Sequence, residues 1–158
     1  MASANNRQWA YRITLSYEGK TVKLEAVTRL EMIALPSIHT EGAEKESGSW
    51  VTLEDRQGRA LYRRPMGNPF GGTREMLGGV GREFSQVKVA STKGTIELLL
   101  PDIPGAASAV IYASETEGVH ALGPAQPVAK VSMERVAALA ERQARRRAGK
   151  EGENDGRK

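Results

Sequence analysis

The run Trp50-Val-Thr-Leu-Glu-Asp-Arg-Gln-Gly58-Arg-Ala-Leu-Tyr-Arg-Arg-Pro65 constrains this chain more than any other feature. Two β-favouring segments flank a polar turn that closes on a glycine. Glycine at that point supplies the positive φ of a tight hairpin or of a turn with a bulge. The same pattern recurs. Tyr11, Ile13, Leu15 and Tyr17 alternate with Arg12, Thr14 and Ser16, a period of two. The Glu18-Gly19 turn follows, and Val22, Leu24 and Ala26 resume the alternation. The phase slips near Val27-Thr28. A bulge or a break into two strands accounts for the slip, and a short helix over 28–34 is the competing reading.

Further strands are expected around Phe84–Ala90, Gly94–Leu100 and Ala109–Ala113, with a corner at Pro101–Pro104. About seven strands bounded by glycine turns predict an all-β protein, an antiparallel sandwich. Residues 66–81 hold six glycines and read as a long loop. The chain divides into a disordered start (1–8), a sandwich (9–114), a linker (115–130), a basic amphipathic helix (131–148) and a disordered tail (149–158). Ser132 and Glu134 mark the helix start. Alternation nominates Ile13, Leu15, Leu24, Leu53, Leu61, Val87, Val89, Ile96, Leu98 and Ile111 for the core. Trp50 reads as a core tryptophan of a central strand. Tyr112 reads as a corner tyrosine whose hydroxyl returns to the backbone near Pro101–Pro104.

Charge matters mainly in one place. The net charge is +4, and residues 141–158 supply +3 of it. The high isoelectric point therefore belongs to the tail and does not make the folded part a nucleic-acid binder. The cluster Arg142-Gln-Ala-Arg-Arg-Arg147 can attract anions or nucleic acid weakly. No aromatic residue follows Tyr112, so the tail cannot stack on bases. Cysteine is absent, which removes disulfides and thiolate chemistry. The mean hydropathy of −0.46 and the lack of a long apolar run argue against a transmembrane segment. The first residues carry no apolar signal core, and a cytoplasmic location is expected.

Motifs for chemistry fail on inspection. Gly19-Lys20-Thr21 lacks the upstream glycine of a phosphate loop and lies between strands. Gly78, Gly79 and Gly81 lack the third glycine of a dinucleotide fingerprint. His39 and His120 are 81 positions apart, and His39 with Glu41 and Glu44 falls short of a metal-ligand set. No catalytic, cofactor-binding or metal-binding residue is assigned, and no cofactor is expected.

The stretch Trp50–Pro65, together with Gly94-Thr-Ile-Glu-Leu-Leu-Leu-Pro-Asp-Ile-Pro-Gly-Ala-Ala-Ser-Ala-Val-Ile-Tyr112, resembles small bacterial immunoglobulin-like β-sandwich domains, some of which stand beside peptidase domains. The resemblance covers roughly half the chain and implies an accessory role. The expected function is a non-catalytic adaptor or structural subunit that binds another protein through sandwich edges, loops and the basic helix. A peptidase or other large enzyme is the expected partner. Val136, Leu139, Arg142, Arg145, Arg146 and Arg147 are the expected contact residues, and the helix carrying them is expected to be dispensable for folding. The alternative is a small hydrolase using loop carboxylates or the two histidines.

Overall fold

The computed structural model describes residues 8–19, 21–69, 72–76, 85–89, 93–117, 120–121 and 123–155, with backbone alone for 72–76, 85–89, 116–117, 120–121 and 153–155. Two antiparallel sheets face one another. The first has the order β2-β1-β7, made of β1 (Trp9–Glu18), β2 (Thr21–Glu31) and β7 (Lys93–Pro101). The second has the order β11-β8-β3-β4, made of β3 (Ser49–Glu54), β4 (Ala60–Pro65), β8 (Ser108–Ala113) and β11 (Gln126–Ser132). A hairpin of β5 (Gly72–Met76) and β6 (Ser85–Val89) and a pair of two-residue strands, β9 (Thr116–Glu117) and β10 (His120–Ala121), complete the β structure described. One helix, α1 (Met133–Asp155), ends it. Seven strands in two sheets, with a core drawn from both, fit a β-sandwich.

Alternation decides which face of each strand goes inward. Tyr11, Ile13, Leu15 and Tyr17 of β1 are buried and stand opposite Leu100, Leu98, Ile96 and Gly94 of β7. Val51 and Leu53 of β3 and Ile111 of β8 close on them from the second sheet. Gly94 has a packing reason. A β-carbon there would lie 2.7 Å from the Tyr17 hydroxyl oxygen and 2.9 Å from two of its ring carbons. The expected phase slip is a bulge. Thr14 pairs with Ala26 but Leu15 pairs with Leu24, so Glu25 is the extra residue. The strand then runs on to Glu31, which excludes the competing helix.

The β3–β4 turn is built by Asp55. Its carboxylate accepts the N–H groups of Gln57 and Arg59, both at 2.9 Å, and Arg59 Nε at 2.7 Å. These bonds, the Arg59 N–H foremost, hold the Asp55 pKa below its ordinary value. Gly58 takes φ +78°, the left-handed turn that the sequence pointed to.

Several expectations change. The supposed linker contains β11, which pairs with β8 from Gln126 to Ser132. The glycine-rich loop contains β5. The helix begins at Met133 and continues to Asp155, past the expected tail boundary. Leu61 is on an exposed face, Leu24 is half-buried against the core, and the Val87 and Val89 side chains lie outside the described residues. Residues 1–7 also lie outside them. The first sheet departs from immunoglobulin order. That order places the second strand beside the later core strand. Here β1 stands between β2 and β7.

The largest correction concerns α1. Met133, Val136 and Ala140 belong to the buried core, and Leu139 packs against it. The helix touches β2, β11 and β8, so it closes the side of the sandwich between two terminal strands. Gln143 Oε1 accepts the Val27 N–H at 3.0 Å, which satisfies a donor on the open edge of β2. Burial of a valine and a methionine contributes about 1.5–3 kcal/mol each. Truncation after Ser132 should therefore lower the thermal midpoint by on the order of 10 °C, as circular dichroism would measure. An unchanged midpoint would show that the helix contributes nothing to the core.

Candidate partner-binding site

One buried cation organises the outer face of the second sheet. Arg63 of β4 points away from the core, yet its side chain is 2% exposed. Its guanidinium lies 3.9 Å from the centroid of the Trp50 ring, and Trp50 stacks on Tyr112 at 5.7 Å. Arg63 Nη2 donates to Glu46 Oε2 at 2.8 Å, and Nη1 to the His39 carbonyl at 3.3 Å. Its backbone N–H donates to Ser37 Oγ, and its carbonyl accepts the Ile38 N–H, both at 2.9 Å. The loop from Pro36 to Gly48, which includes one 3-10 turn at Ala43–Lys45, is thus strapped across the sheet. Glu46 accepts from both Arg63 and His39 Nε2 (2.7 Å), and these bonds lower its pKa to about 2. The Ala125 N–H donates to the Glu46 carbonyl at 2.8 Å and fastens the far side.

Trp50 is buried as expected, but on this outer face and not between the sheets. Tyr112 is no corner tyrosine. It sits within β8, and its hydroxyl donates to Glu54 Oε1 at 2.7 Å. Burial, then Glu54, pushes its pKa up to about 12. Thr52 donates to the same carboxylate oxygen at 3.0 Å.

The segment leading into the strapped loop forms one wall of a groove of about 740 Å³ at the end of the sandwich. That wall is the crossover Ile33–Ser37, and the other is the corner Pro101–Pro104. Tyr62 supports the crossover by donating its hydroxyl to the Leu35 carbonyl at 2.9 Å. The floor holds Trp9 and Arg29, whose guanidinium lies 4.2 Å from the Trp9 ring centroid. Arg29 Nε and Nη2 both donate to Asp102 Oδ2, at 3.1 and 2.8 Å. That bond to Asp102 raises the Arg29 pKa. Tyr11 also reaches Asp102, at 3.4 Å, and burial first and Asp102 second raise its pKa. The rim is apolar and open to solvent. Ile33 is 80% exposed and Leu35 53%.

The residues expected to meet a partner are divided by the fold. Val136 is fully buried and Leu139 half-buried, so neither is offered outward. Arg142, Arg145 and Arg146 are exposed, and Arg147 lies 3.5 Å from Thr28 Oγ1. His39 is bonded to Glu46, and the His120 side chain lies outside the described residues. Among the described residues no group of three His, Asp or Glu side chains could hold a metal, and no helix is long and apolar enough to cross a membrane. The sequence reading missed the groove. Ile33 and Leu35 stood in an apolar run, and Pro36 immediately after them was the available signal of a crossover. No family model, curated protein or solved structure matches this chain.

Glu46 gives a pH test. Its pKa falls from 4.5 to about 2 on folding, so its contribution is complete above pH 4.5 and lost as pH drops towards 2. Glu46→Gln should lower the midpoint at neutral pH and flatten its decline across that acid window. Arg63→Ala should cost more, on the order of 3 kcal/mol, because it empties a packed site and strands its acceptors. Thermal melts from neutral pH to pH 2 measure both. Parallel wild-type and Glu46→Gln curves would refute the clamp.

Proposed function

We propose that the protein is a non-catalytic binding subunit that receives an apolar segment of a partner protein in the groove between Ile33–Ser37 and Pro101–Pro104. The exposure of Ile33 and Leu35 beside that groove carries the reading. Scattered exposed apolar residues are ordinary, but a contiguous set lining a concavity marks a binding surface. Tyr62, Arg63 and the Arg29–Asp102 pair hold the walls before any ligand arrives, which reduces the ordering cost of association. A large enzyme such as a peptidase is the partner that the resemblance implies. The β-sandwich adds only an architecture that hosts many binding roles.

The test is affinity capture of the full chain from its native cells, followed by titration with the recovered partner. The double variant Ile33→Asp/Leu35→Asp should keep its thermal midpoint, since both positions face solvent. It should weaken binding by about a hundredfold, from the loss of about 3 kcal/mol of apolar contact. Equal affinity for variant and wild type would remove the groove from the interface.

A further inference from the structure

Helix α1 separates its charges by flank. At 3.6 residues per turn, Arg135, Arg142, Arg146 and Lys150 fall within an arc of about 80°. All four are exposed, and no acidic residue shares the arc between residues 135 and 150. Arg145 lies off it and is paired with Glu141 at 3.0 Å. Among the described residues, none of the four arc cations forms an ion pair. The docked face of the helix is fixed to the sandwich by Met133, Val136, Ala140 and the Gln143–Val27 bond. The cations therefore form a pre-set row about 22 Å long, at 1.5 Å per residue.

We propose that this row binds the phosphate backbone of duplex nucleic acid without reading its sequence. Three arginines present planar donor forks that suit phosphate oxygens. Release of counterions from a polyphosphate supplies affinity without any apolar contact. An acidic protein segment would need an apolar centre, because rim charges alone contribute little. The one large apolar residue on the arc, Leu139, is already half-buried against the core. A bilayer would need an anchor to insert, and the large apolar side chains of α1, Met133, Val136 and Leu139, pack in or against the core. Base reading has no means here. No Asn or Gln lies on the arc, Gln143 is engaged by Val27, and α1 has no aromatic residue to stack on unpaired bases.

Fluorescence anisotropy of the full chain with two unrelated duplexes of about 20 base pairs, between about 50 and 200 mM salt, tests the proposal. Both duplexes should bind alike, with a dissociation constant near 10 μM and a log–log salt slope of about −3 to −4. Arg142→Ala should reduce that slope by about one. Arg142→Glu/Arg146→Glu should abolish binding at an unchanged thermal midpoint, whereas Arg145→Ala should have a smaller effect than Arg142→Ala. The groove variant Ile33→Asp/Leu35→Asp should bind duplex normally, so this result and the groove result stand apart. No binding at the lowest salt, undiminished binding by the double glutamate variant, or tighter binding to phosphatidylserine vesicles or poly-glutamate would overturn it.

Discussion

The burial of Arg63 is the constraint on which the outer architecture depends. A guanidinium removed from water must be paired and hydrogen-bonded, or its burial is prohibitive. The chain meets this demand with Glu46, the His39 carbonyl and the Trp50 ring. Two of those three come from the loop between Pro36 and Gly48. The loop is therefore held in one place by an electrostatic requirement and needs no apolar core of its own. Arg63 Nε is buried with no acceptor among the described residues. Because the loop begins where the crossover ends, the same clamp sets one wall of the groove.

Legibility followed interaction range. The hairpins were readable because their causes are local. Asp55 and Gly58 act within five residues of each other, and the alternation of β1 is visible in seven consecutive side chains. The bulge was readable to within two or three residues for the same reason. What escaped was set by pairing at long range. Gln126–Ser132 carries glycine- and proline-rich neighbours and reads as linker until β8 supplies a partner 13 to 24 positions away. The stripe Met133, Val136, Ala140 is too narrow to announce a core element. It becomes one because α1 packs against both β2 and β11.

Trp50 shows a subtler limit. Its burial was anticipated, but alternation assigns only which residues share a face, not which face is covered. Val51 and Leu53 occupy the inner face of β3, so Trp50, Thr52 and Glu54 must point outward. They are buried nonetheless, because the loop tied to Arg63 and the stacked Tyr112 lie over them. The groove was hidden for a similar reason. Trp9, Arg29, the crossover and the Pro101–Pro104 corner come from four places in the chain, and no local pattern joins them.

These contacts also cover edges that a bare sandwich would leave open. Open strand edges invite another strand, and a sandwich with exposed edges binds or aggregates there. In this molecule the edge of β4 is met by Ser37 and Ile38, and the edge of β2 is met by Gln143. Each cover is polar and specific, one side-chain oxygen or backbone group per edge site. Two exposed features elsewhere are different in kind. At one end stand Ile33 and Leu35 beside a concavity, and along α1 stands a row of cations that form no ion pair among the described residues. The loop and the helix therefore guard two of the four terminal strands of the two main sheets, β4 and β2, against strand pairing.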